Sequence, residues 1–181
     1  MSQSHDPVLD AARECVLAVG VRRTTFSDVA RRAGVSRMTL YRRFGDLEAL
    51  LSALMTREFG RLVESAQPAE GAHARERTVR MVVTGARRLA ADPLFQRLLD
   101  VDPELLLPYV TMRRGGMQRM AVGALEAALA QDGDGSLRAG DATAMARAVE
   151  LAVRGFVLAA HAEEPPDWTE LERMVDAYLT P

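Results

Sequence analysis

Hydrophobic residues recur at intervals of three and four along most of the chain, the period of an α-helix that buries one stripe. Nowhere do they alternate with polar residues as a half-buried strand would require. The first stripe is Val8, Ala12, Cys15, Val16 and Val19; Asp6 serves as its cap, Pro7 suits its first turn, and Gly20 ends it. A shorter stripe follows in Val29, Ala30 and Ala33. Thr25 and Asp28 make a capping box at its start, and Gly34 supplies the left-handed backbone that closes it. Ser36 caps a third helix, 37–44, in which Leu40 and Phe44 share one face and Arg37, Met38, Thr39, Tyr41, Arg42 and Arg43 are left largely outside. After Gly45 and Asp46, the series Leu47, Leu50, Leu51, Leu54, Met55, Phe59 and Leu62 marks a longer connecting helix.

Pro68 and Gly71 make 65–74 a loop between two regions. A helix over 75–90 then turns Val79, Val82, Val83, Ala86 and Leu89 inward. Asp92-Pro93 and Asp102-Pro103 each pair a cap with a first-turn proline, so two further helix starts are expected there, the second complicated by Pro108. The pattern over 109–131 is helical but interrupted at Gly115 and Gly116, which favours a kink or break. Asp141 opens a helix carrying Met145, Val149, Val153, Phe156 and Val157. Asp167, boxed with Glu170, opens the last one, with Trp168, Leu171, Met174, Val175, Tyr178 and Leu179 on its apolar stripe. The expected fold is all-α, with about nine helices and no internal repeat.

Composition narrows the function. At 181 residues the chain can bury a substantial core, and 48% hydrophobic residues with few aromatics suit a helical globular protein. Its net charge is only −2, yet the stretch from Arg22 to Arg43 carries seven arginines against the single Asp28. A basic face confined to one segment of a mildly acidic protein points to phosphate, and arginine can also fork onto guanine edges. Charge alone fits a helical hairpin with a solvated face equally well. All 23 basic residues are arginine, a bias that extends over every segment and so reflects genome composition. The single cysteine, Cys15, forms no internal disulfide and fits a reducing compartment. The three histidines lack the spacing of helical metal ligands, and neither a phosphate-binding glycine loop nor a nucleophile motif is present, so no metal, cofactor or catalytic residue is expected. With no apolar run near about 20 residues and no hydrophobic leader, a cytoplasmic protein without membrane contact is expected.

The order Thr-Thr, Val-Ala, Ala-Gly-Val-Ser, Thr-x-Tyr and Phe within TTFSDVARRAGVSRMTLYRRFGDLEALL closely resembles the helix-turn-helix of the TetR family of bacterial transcriptional regulators. The likeness covers Leu9 to Leu54. It implies an N-terminal three-helix bundle with a helix-turn-helix (residues 1–50), followed by a larger helical ligand-binding and dimerisation domain (51–181). It also implies a repressor that binds a double-stranded, palindromic operator as a homodimer. Carried over residue by residue, the DNA-binding positions are Thr24, Thr25, Ser36, Arg37, Met38, Thr39, Tyr41, Arg42 and Arg43. The chain departs from its relatives at Leu47, where they commonly carry a lysine, which leaves open a phosphate contact at that point. A protein-interaction module that has lost DNA binding and a small helical enzyme are the alternative classes.

The resemblance also places an effector site and a dimer surface. Met55, Phe59, Met81, Met112, Met117 and Met120 are concentrated where relatives enclose their ligands, and methionine's flexibility suits an apolar small molecule. These side chains equally serve as core filling. The last two helices correspond to the pair through which relatives dimerise, with Val149, Val153, Phe156, Trp168, Leu171 and Val175 as interface candidates, though the same residues also serve to close a monomer's core. An acidic run around the last helix would keep that end away from DNA.

Overall fold

The computed structural model describes residues 6–66, 73–105, 115–131 and 133–181. Among them are nine α-helices: α1 Pro7–Val19, α2 Phe26–Ala33, α3 Arg37–Phe44, α4 Leu47–Ser65, α5 Ala74–Ala90, α6 Pro93–Val101, α7 Gly116–Leu129, α8 Ala142–Ala159 and α9 Trp168–Leu179. A short 3-10 turn, Pro103–Leu105, follows α6, and the described residues contain no strand. They fall into two compact units. One comprises the chain through Glu58 plus the stretch opening at Asp92; the other comprises Phe59–Ala91 plus the chain from Gly115 onward.

The first unit forms around α1, α2 and α3. Asp6 caps α1 by accepting from the amides of Val8 (3.1 Å) and Leu9 (3.4 Å), and Pro7 occupies the first turn, where no amide is needed. Val8, Ala12, Cys15 and Val16 are buried with Phe26, Val29, Ala30, Leu40, Leu50, Leu54 and Leu94 in one core. Val19, expected on the buried stripe, is exposed at the last turn of α1. The segment of α4 in this unit is tied to α1 by Arg57 to Asp10 (2.8 Å) and Arg13 to Glu58 (3.2 Å).

In the second unit α5 packs against α7, α8 and α9, α7 against α8, and α8 against α9. Its core includes Val79, Val82, Val83, Leu125, Met145, Val149, Val157, Leu171, Val175 and Leu179. Helix α5 starts at Ala74, with His73 rather than a hydroxyl as its cap. The first amides find acceptors at Asp134 (2.8 Å from Ala74) and Ser136 (3.0 Å from Arg75), and His73 Nδ1 takes the amide of Glu76 at 3.1 Å. Arg138 ties the same loop to the end of α9, donating its amide to the Leu179 carbonyl (2.9 Å) with its guanidinium 4.1 Å above the Tyr178 ring.

One of the expected helix starts differs. Asp102-Pro103 opens only a 3-10 turn, because Asp102 is the C-cap of α6. At the glycine pair, where a kink or break was expected, helix α7 starts with Gly115 at its cap position; Pro108 and the expected start at Tyr109 lie outside the described residues.

Candidate nucleic-acid interface

Thr25 sits in extended backbone ahead of α2 and accepts the amide of Asp28 at 3.2 Å. The reciprocal half of the box takes an unexpected form: the Asp28 carboxylate accepts the Thr25 hydroxyl at 2.5 Å and the Arg31 guanidinium at 2.7 Å. These hydrogen bonds hold the Asp28 carboxyl below its usual range. Gly34, at φ +68°, ends α2 in left-handed backbone; no atom crowds it, so the position needs glycine for the dihedral and not for space. Val35 then returns its amide to Ala30 O at 3.0 Å, and Ser36 caps α3 by accepting from Thr39 at 3.1 Å.

Helix α3 is held to the unit chiefly by Leu40, fully buried, and by half-buried Phe44. Its other side is open: Arg37, Met38, Tyr41, Arg42 and Arg43 are exposed and Thr39 is half-buried. Met38 is 74% exposed, an unusual position for a large apolar side chain and one suited to contact with a thymine methyl group. Tyr41 lays its ring edge-on to buried Phe26, with centroids 4.7 Å apart. Arg37 lies 5.9 Å above the Tyr41 ring and 3.5 Å from its hydroxyl. Ser36 and Thr39 share a hydroxyl contact of 2.9 Å. The arrangement presents cationic, hydroxyl and apolar groups on a helix short enough to lie along a major groove.

Two of the sequence-derived positions are tied to residues that precede α2. Thr24 is 1% exposed, and its hydroxyl donates to the Gly20 carbonyl at 2.7 Å, so it stabilises the turn before α2. Arg43 grips Asp6 with two hydrogen bonds, one of 3.0 Å from Nη1 to Oδ1 and the other from Nη2 to Oδ2, and stacks over Phe44. Burial raises the Asp6 carboxyl's pKa, but Arg43 and the cap amides outweigh it, and the net shift is downward. The basic face is also less naked than its sequence implies. Arg31 pairs with Asp28 and Arg32 with Glu14, while Arg22 pairs with Glu104, each at 2.7 Å. Glu14, Glu104 and Asp6 come from outside the arginine-rich stretch. No local pattern could have disclosed them.

The other sequence-derived positions separate clearly. Met55 packs against the first unit's core, whereas Phe59 and Met81 are buried and Met117 and Met120 half-buried in the second. Met112 lies outside the described residues. Gly60 leaves room for Met120, whose Cε would stand 3.4 Å from a Cβ there. On α8 and α9, Val149, Leu171 and Val175 are buried within the protomer, and Val153, Phe156 and Trp168 are half-buried, the last two with rings 6.3 Å apart. The exposed large apolar side chains of these helices are Leu151 (61%) and Met174 (42%).

A capped helix, a glycine turn and a second capped helix with an open basic face define a helix-turn-helix DNA-binding protein. The family described as "Bacterial regulatory proteins, tetR family" matches residues 8–54. The uncharacterized HTH-type transcriptional regulator Rv2250c of Mycobacterium tuberculosis is 35% identical over 154 residues, covering 84% of this chain and 79% of that protein. Two solved structures share the fold. The TetR family repressor AlkX from Dietzia sp., implicated in biodegradation of n-alkanes, has a TM-score of 0.71 at 23% identity, covering 98% of this chain and 97% of that one. The regulator FadR from Bacillus subtilis, in complex with stearoyl-CoA, has a TM-score of 0.59 at 18% identity, covering 96% of each chain. The chain belongs to the TetR family and is a transcriptional regulator with a helix-turn-helix DNA-binding domain. No helix of the described residues is long and apolar enough to cross a membrane.

Proposed function

We propose that this regulator is a repressor that binds a pseudo-palindromic operator as a homodimer and is released by a largely apolar small molecule. The open face of α3 carries the reading: Arg37 and Met38 address base edges, Thr39 approaches them, and Tyr41, Arg42, Thr25 and Ser36 address phosphates. Thr24 and Arg43 support this face from within, through Gly20 and Asp6. Two-fold symmetry suits a reader whose single recognition helix covers only one half-site. The exposed apolar side of α8 and α9, with Leu151 and Met174, is the surface that a second copy would cover.

The effector reading draws on Phe59, Met81, Met117 and Met120 in the second unit, and on the lipid-like chemistry in the names of two structural neighbours. Such a ligand acts only if it prefers one conformation of the protein over another. Stearoyl-CoA is the direct probe. Titrated into the protein–operator complex, it is expected to release DNA and raise the melting temperature of the free protein. Stabilisation without DNA release contradicts the proposed control.

A further inference from the structure

We propose that Asp102, eighty-one positions downstream of its partner, is a positioning residue for DNA binding: it fixes the turn between α1 and α2 from which the helix-turn-helix begins. This rests on the DNA-binding face described above. Asp102 is one of the few buried polar residues, 2% exposed, and its Oδ2 accepts the amide of Val21 at 2.7 Å. The neighbouring groups of the turn are satisfied locally. Gly20 N bonds Val16 O at 2.8 Å, Thr24 N bonds Val21 O at 3.2 Å, and the Thr24 hydroxyl donates to the Gly20 carbonyl. The Val21 amide instead bonds the side chain at the C-cap of α6. Without it a part-buried donor would stand unpaired, which a fold avoids.

The approach is close enough to dictate the residue opposite. A Cβ on Gly20 would lie 2.7 Å from Asp102 Oδ2 and 2.8 Å from Val101 Cγ1, and Gly20 also adopts φ +86°. Two further contacts converge from the same short stretch: Arg97 Nη2 donates to the Ala18 carbonyl at 3.0 Å, and Glu104 pairs with Arg22 at 2.7 Å. Residues 97–104 therefore grip the turn at Ala18, Val21 and Arg22. That turn carries Arg22 and Arg23 and leads directly to Thr25, the cap of α2. Its position sets where α2 starts, and through the Phe26–Tyr41 contact it bears on the orientation of α3.

The test uses the full-length protein and the duplex that the wild type enriches from a random pool. Asp102→Leu keeps the bulk and removes the acceptor, whereas Asp102→Asn keeps an acceptor oxygen. Asp102→Leu is expected to bind that duplex about tenfold more weakly or worse, with its helical content retained, and Asp102→Asn to recover most of the loss. Hydrogen exchange at the Val21 amide should accelerate in Asp102→Leu and not in Asp102→Asn, a readout independent of DNA. Should Asp102→Leu fail to fold, Arg97→Ala removes a second grip on the turn and is expected to weaken binding about threefold. Undiminished affinity in the folded variants, or a loss that Asp102→Asn does not recover, overturns the proposal. If the wild type enriches no duplex, the proposed operator reading fails, and exchange at Val21 alone then decides whether Asp102 holds the turn.

Discussion

The Tyr41 ring meets Phe26 edge-on at 79°, with centroids 4.7 Å apart, so α3 and the helix before it share an aromatic contact at the edge of the open basic face. Phe26 is buried and Tyr41 is 44% exposed, which leaves the tyrosine hydroxyl available while its ring is held. Tyr41→Phe should leave stability nearly unchanged and weaken DNA binding. Phe26→Ala should cost about 3–5 kcal/mol of stability. Denaturant unfolding beside a binding isotherm separates the two effects.

Arg37 and Arg42 differ in what they are expected to read. Arg37→Ala should cost about 1–3 kcal/mol on the cognate site and relax one base position, because a forked contact to a base edge is lost. Arg42→Ala should weaken binding to all sequences and flatten the salt dependence by about one unit of slope. Fluorescence anisotropy at several salt concentrations, on cognate and scrambled duplexes, measures both.

The Asp6–Arg43 contact makes stability depend on acid. Because the folded-state pKa of Asp6 is lowered, its contribution is fully present above the ordinary carboxylate value of about 3.9 and is lost as pH falls through the lowered one. Asp6→Asn keeps a good helix cap and removes the titration. The variant should show a shallower loss of stability than the wild type as pH drops below about 4, followed by circular dichroism in urea.

Burial divides the apolar residues of the last two helices by role. Val175→Asp or Val149→Asp places a charge within the protomer's core and should unfold it, whereas Leu151→Asp or Met174→Asp should leave it folded and shift it towards monomer. Sedimentation velocity with a parallel thermal melt distinguishes these outcomes.

Much of the helical frame is legible in local residues. Asp6, Thr25, Ser36, Asp92, Asp141 and Asp167 all cap the helices their spacing implies, since a cap acts within three residues of itself. Period alone does not say which apolar residue faces the protomer's own core, so Leu171 and Val175 read no differently from Met174 on the same helix. The arginine partners were hidden for a different reason. Glu104 and Asp6 lie far along the chain from Arg22 and Arg43, and only folding brings them together. Asp102 is the sharpest case. Beside Pro103 it has the form of a helix cap, yet the fold uses its carboxylate on Val21.

In the proposed function, two copies of this α3 face read one symmetric site. Sequencing the duplexes that the full-length protein retains from a random pool tests it most directly. Two inverted half-sites with centres about one helical turn apart are expected, lost together when Arg37→Ala is used in the selection. Enrichment of a single asymmetric site, or of no motif by a correctly folded protein at low salt, would contradict it.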